Sequence, residues 1–232
     1  MKNYLLVGGS YGIGNSLIDF LPTDATIIVA SRTTEGLANK NVKHIPYNVL
    51  ENSLPIEQLP EKIDGFVYCP GSINLRPFKG LKPESFRNDF EINVMGAVRT
   101  LQHIQPLLAA SEQASVVLFS TVAVQTGMPF HSSVAASKGA IEGLGRALAA
   151  EWAPKVRVNV VAPSITDTPL ANRFLNNDAK KEKAALRHPL KRIGTTEDIA
   201  QLAAFLLSDK SSWMTGQVLG LDGGMSSLNT QG

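Results

Sequence analysis

Residues 5–17 read LLVGGSYGIGNSL, and this stretch decides the fold. A short apolar run ends in glycines and passes directly into a segment with helical patterning. Gly8, Gly12 and Gly14 follow a G-x-x-x-G-x-G spacing. Glycine at a strand-to-helix junction permits a tight turn, lets the backbone approach a pyrophosphate, and allows close helix–strand packing. A helix starting there offers free N–H groups and a partial positive charge to phosphates. The glycines alone would equally fit a turn-rich connection. The strand before and the helix after them select a dinucleotide site, with Ser10, Tyr11 and Ile13 interleaved on it.

Outward from this loop, short apolar runs alternate with longer amphipathic segments. Strands are predicted at 3–8, 25–30, 42–46, 65–69, 115–120, 156–162 and 217–222. Most are continuously apolar, as parallel strands covered on both faces are. Phe86, Phe90, Val94, Val98, Leu101 and Leu108 mark one stripe of a long helix. Ile141, Gly145, Leu148 and Trp152 mark another, with Glu142 and Arg146 as an i,i+4 pair. Ile199, Leu202, Ala203, Leu206 and Leu207 mark a late helix, which Thr195 or Thr196 can cap. The alternation predicts an α/β fold: one Rossmann-type, doubly wound domain over 1–232, about seven mostly parallel strands with helices on both faces. The proline-punctuated stretch 163–195 reads as a long irregular segment, expected to be a substrate lid.

The end of the second predicted strand separates NAD from NADP. An acid there would hold the ribose hydroxyls and repel a 2′-phosphate. This chain has Ser31 and Arg32, with no acid until Glu35. A guanidinium presents a planar fork of donors to a phosphate, so NADP(H) is favoured and NAD(H) stays open.

Composition narrows the function classes. The net charge is +2, from 22 basic and 20 acidic residues, which gives no strong pull toward nucleic acid or a membrane surface. The run DAKKEK at 178–183 mixes both signs and reads as a solvated helix face. The single cysteine, Cys69, excludes an internal disulfide and is expected in the core. The first ten residues lack a signal-like apolar stretch and no run of 18 or more apolar residues follows, so a cytoplasmic location is expected.

The chain resembles the short-chain dehydrogenase/reductase family over nearly its whole length. The resemblance rests on GGSYGIG (8–14), DGFVYCPG (64–71), INVMGA (92–97), AASKGAIEGLGRALAAE (135–151), VRVNVVAPSITDTPL (156–170) and the tail 189–224. It implies a nicotinamide cofactor, hydride exchange with a small carbonyl or alcohol, and a homotetramer or homodimer built partly through the helices around 83–109 and 133–153. It also implies a catalytic set in which Asn93 matches the family's Asn and Lys138 its Lys. Thr121, beside Ser120, stands at its Ser. Thr168 matches the residue that contacts the nicotinamide carboxamide. Pro163, Ile165, Gly71 and Asn48 are implied as cofactor neighbours, Asn48 where an Asp often reads the adenine amine. No metal site is implied.

Two departures bear on chemistry. The family's NNAG is Tyr68-Cys69-Pro70-Gly71 here, and the tyrosine of its Y-x-x-x-K is Val134. A valine cannot give or take a proton, whereas a positioned acid contributes ~10²–10⁴ in rate. Lys138 could relay protons through a water with Thr121 and Asn93. His131, one turn before Val134, could serve directly as the acid. Two functions follow: an oxidoreductase for a small carbonyl, alcohol or activated alkene with an altered proton donor, or a catalytically silent dinucleotide-binding protein that senses cofactor or supports a partner subunit.

Overall fold

The computed structural model describes residues 1–51 and 53–229. Among them seven parallel strands form one sheet: β1 (Asn3–Val7), β2 (Thr26–Ser31), β3 (Lys43–Pro46), β4 (Gly65–Tyr68), β5 (Ala114–Phe119), β6 (Val156–Pro163) and β7 (Val218–Leu221). Their order is β3-β2-β1-β4-β5-β6-β7. The seven predicted runs are these seven strands. β4 and β5 are buried at every position, which explains why their sequences are apolar without alternation. The helices are α1 (Gly12–Ile18), α2 (Pro83–Phe90), α3 (Gly96–Ala109), α4 (Ala123–Thr126), α5 (Ser132–Trp152), α6 (Asn172–Leu175), α7 (Asp178–Leu186) and α8 (Thr196–Leu207).

Two apolar layers sandwich the sheet. On one face Leu101, Ile104 and Leu108 of α3 and Ile141 and Ala149 of α5 pack on Val116, Leu118 and Val158. On the other, Leu17 of α1 and Ile199, Ala203 and Leu206 of α8 pack on Leu6, Val117 and Val161. Thr195 starts α8 with a reciprocal cap: its hydroxyl accepts from the Asp198 N–H, and the Asp198 carboxylate accepts from the Thr195 N–H. The strand order reverses between β1 and β4, and a crevice opens there at the carboxyl ends of the strands, where α/β sheets bind ligands.

Two expectations are corrected. The stripe from Phe86 to Leu108 lies on one unbroken helical run but not on a regular α-helix, because a wide i→i+5 turn at Glu91–Met95 joins α2 to α3. Phe90 is consequently exposed and Asp89 is the residue that points inward. The stretch 163–195 is not irregular: it holds a short 3₁₀ turn (Pro169–Ala171), α6 and α7. Asn177 caps α7 by accepting from the Lys180 N–H at 2.9 Å. Its low apolar content and exposed positions hid the helices from a reading of hydrophobic period.

Candidate active site

The glycine loop forms the floor of a cleft of about 820 Å³. Gly8 adopts φ 80°, a region that L side chains rarely enter. A Cβ on Gly14 would lie 2.8 Å from the Gly8 carbonyl oxygen, so the helix can start this close to β1 only with glycine there. Tyr11 stands before α1 without capping it through its side chain, which leaves the first helical N–H groups to the cleft. Asn15 donates to the Gly36 carbonyl at 2.8 Å, and Thr33 donates to the buried Ser10 hydroxyl at 3.2 Å. Together these bonds pin the loop after β2 onto the glycine loop.

At the adenosine end, Arg32, Ser31 and Asn48 all line the cleft. Arg32 is exposed, and its guanidinium has no ion pair or hydrogen bond among the described residues. Ser31 is committed inward instead: its hydroxyl donates to the Thr33 carbonyl at 2.8 Å and lies 3.1 Å from His44 Nε2. Asn48 accepts from the Leu50 N–H at 3.2 Å, shaping its own turn. A phosphate-bearing dinucleotide fits this arrangement of open helix N–H groups, closely approached glycines and an uncommitted guanidinium.

At the other end, Val134 and Lys138 come from successive turns of α5 and both face the cleft, with Thr121 and His131 beside them. Lys138 donates from Nζ to the Phe119 carbonyl at 2.9 Å. Burial pulls its pKa down from the usual lysine range to about 8, against smaller opposing effects of Cys69 and Asp89. His131 is the residue just before α5, and its Nδ1–H donates to the Pro129 carbonyl at 2.8 Å, leaving Nε2 uncommitted. The Thr121 hydroxyl accepts from the Ala123 N–H at 3.3 Å and keeps its own proton available. Ser120 is spoken for, donating to Glu142 at 2.7 Å.

Asn93 does not line the cleft. It lies in the wide turn behind the wall, where its Oδ1 accepts from the Ser72 N–H at 3.1 Å and its Nδ2 donates to Ser137 at 3.1 Å. Gly71 separates it from Lys138: a Cβ there would sit 3.2 Å from Asn93 Oδ1 and 3.6 Å from Lys138 Nζ. Cys69, expected in the core, is half-buried on the cleft wall, and burial pushes its thiol up to about 12, away from the reactive thiolate form. Tyr68 is no substitute acid. It is buried, its hydroxyl donates to the Ile92 carbonyl at 2.7 Å, and burial raises its pKa further. That hydroxyl fills the space a Cβ on Gly96 would need, so Tyr68 packs its phenol against the wide turn where glycine gives it room.

A buried polar cluster escaped the sequence reading. Asp89 is fully buried and accepts from Ser72 at 2.6 Å, Asn74 at 2.8 Å and Ser133 at 2.6 Å. It staples α2 and the loop after β4 to the first turn of α5, directly behind Val134. Its only signal was an acid one position from an apolar stripe. Pro163 at the end of β6, and Ile165 and Thr168 beyond it, line the cleft. Thr168 caps the 3₁₀ turn, accepting from the Ala171 N–H at 3.3 Å. His188 fastens the chain just beyond α7: Nδ1–H donates to the Ala184 carbonyl at 2.8 Å, and Nε2 lies 2.9 Å from Ser164 Oγ.

A family model described as enoyl-(acyl carrier protein) reductase matches residues 55–226. The chain is 30% identical to the 3-oxoacyl-(acyl-carrier-protein) reductase of Thermotoga maritima, covering 97% of each chain. The chain belongs to the short-chain dehydrogenase/reductase family. Membership in this oxidoreductase family extends to a tropinone reductase homologue of Arabidopsis thaliana, 31% identical over 97% of this chain and 91% of that one. Ligand-free aldohexose dehydrogenase from Thermoplasma acidophilum superposes with a TM-score of 0.89 at 26% identity, over 100% of this chain and 96% of that one. Among the described residues no metal-binding cluster of His, Cys, Asp or Glu occurs, and no helix is long and apolar enough to cross a membrane.

Proposed function

We propose that the protein is an NADP(H)-preferring oxidoreductase of a small carbonyl or alcohol, or an activated alkene, in which Lys138 takes over the proton transfer that a tyrosine at position 134 would perform. The observation that carries this reading is the pairing of Val134 with Lys138 on the cleft wall, where burial brings the ammonium to about 8. A group poised there is charged at neutral pH yet gives up its proton readily. The reductase names of both curated relatives support carbonyl reduction as the direction.

The glycine loop and α1 would hold the cofactor pyrophosphate, Arg32 a 2′-phosphate, and Thr168 the carboxamide. When bound, the nicotinamide supplies or accepts the hydride. Reduction leaves negative charge on the substrate oxygen. Lys138 keeps two N–H groups beyond the one on Phe119, and donates through a water that Thr121 also holds. Asn93 acts from behind the wall, fixing Ser72 and α5. His131, whose free Nε2 can donate only when both ring nitrogens carry a proton, is the second candidate on the cleft wall. The same reading includes a homodimer or homotetramer through the 83–109 and 133–153 helices, which exposed Phe90 on α2 supports.

A silent nucleotide-binding module is the competing reading, favoured by the aliphatic Val134 and the buried hydroxyl of Tyr68. NADPH oxidation against a panel of activated carbonyls separates the two. We expect slow turnover by the wild type, abolished in Lys138→Met at saturating NADPH. Loss in His131→Gln with retention in Lys138→Met would transfer the role to His131, and no turnover in any protein would favour the silent module.

A further inference from the structure

We infer that the lid makes the cleft selective for carbonyl substrates that carry an anionic group, a carboxylate or a phosphate, which Lys183 and Arg187 recognise with Lys180. The inference deepens the oxidoreductase reading and rests on it for the word substrate. Lys180, Lys183 and Arg187 are spaced three and four apart, so they share one face of α7 and its C-terminal end, and all three line the cleft. Nothing in the mechanism above uses them.

The remaining charges of the helix go elsewhere. Lys181 turns to Asp167 at 2.6 Å, and neither Asp178 nor Glu182 lines the cleft. Lys180 has only a neutral partner, the Asn176 side-chain oxygen at 2.8 Å. Lys183 and Arg187 have no carboxylate partner among the described residues. No aspartate or glutamate is among the residues that line the cleft. A concave site with cations of one sign and low-dielectric walls concentrates anions.

The position of the lid sets these cations on the reaction side. Arg173 of α6 donates to the Ile73 carbonyl, which ties the lid to the loop that Asn93 and Asp89 hold next to Lys138. Arg32 and the glycine loop occupy the β1–β2 side and serve the dinucleotide phosphates. Leu75, Met128, Leu170 and Phe174 line the cleft near the lid and offer an apolar surface to a carbon chain. A substrate with a short apolar body, a ketone and an anionic end matches both features.

Calorimetric binding tests the inference with two matched pairs, levulinate against its methyl ester and dihydroxyacetone phosphate against dihydroxyacetone, on NADP⁺-loaded and cofactor-free protein. At least one anion should bind about tenfold more tightly than its neutral partner at low ionic strength, the effect of one charge-assisted contact. Which pair shows it identifies carboxylate or phosphate. Raised salt and a Lys183→Gln/Arg187→Gln double variant should remove the preference and leave NADPH affinity unchanged. No preference in either state overturns the inference, as does a double variant that loosens NADPH while the preference persists. An anion preference without turnover would sink the catalytic reading alone, and turnover of the neutral partners without a preference would sink this inference alone.

Discussion

Lys138 is where burial and chemistry meet. Its folded pKa of about 8 lies below the ~10.4 of an unfolded lysine. If its ammonium supplies the proton, reduction should be level below that value and fall about tenfold per pH unit above it. Asp89 raises the proton affinity of Lys138 through space, whereas Glu142, on the next turn of α5, is engaged by Ser120 and Arg146. Asp89→Asn should therefore move the alkaline limb to lower pH, a shift that a purely structural role would not produce. The stability sign is opposite to the functional one. A lysine whose pKa is lowered on folding costs stability below about 8, and the cost fades as pH rises toward ~10.4. Lys138→Met should thus keep or raise Tm while abolishing turnover. At the opposite end, Arg32 should give NADPH an advantage over NADH of about ten- to hundredfold in a fluorescence titration. Arg32→Ala should erase that advantage, and equal affinities in the wild type would remove Arg32 from the cofactor site. Gly8 and Gly14 were legible in the sequence because their spacing falls between a strand and a helix, and Lys138 because the family resemblance marks it. The inward turn of Ser31 was not, since it depends on His44 from the neighbouring strand.

Helices and loops show where periodicity stops being enough. The inner strands could be read because burial on both faces leaves continuous apolar runs, whereas β3 and β7 at the sheet edges are only partly buried. The α2–α3 region could not, because one wide turn rotates the face: Asp89 enters the interior and Phe90 leaves it. The Ile92 carbonyl in that turn accepts from Tyr68, a contact between positions 24 apart that no local pattern signals. The segment 163–195, which we propose is a lid, carries its own prediction. Its interior contacts are few, α7 has no buried residue, and its ends are held by Thr168 and the His188–Ser164 contact. Hydrogen exchange over about 166–190 should therefore slow when NADPH binds, with little change in β4 and β5. Unchanged protection across this segment would mean that the lid does not respond to cofactor.

At the scale of the whole molecule, parallel strands wound in both directions from β1 and β4 open the main cleft at their carboxyl ends, and every candidate site residue but Asn93 lines it. The glycine loop, the Cys69 wall, the Lys138–Val134 face and the basic side of α7 come from four separate stretches of sequence. Their chemistry types could be read singly, but their convergence on one cavity, and the orientation of the lid cations into it, belong to the tertiary fold. Val134→Tyr tests most directly whether this cavity is a reductase site with its phenol missing. Val134 and Lys138 share a face of α5, so the new hydroxyl would stand within reach of the ammonium. The added volume costs about 1–3 kcal/mol if the wall is tight, so folding and NADPH binding are verified first. NADPH oxidation with simple reactive ketones should then be slow in the wild type and rise by ~10–10³ in the variant. Two folded, NADPH-bound proteins that both fail to oxidise NADPH with every carbonyl offered would contradict it.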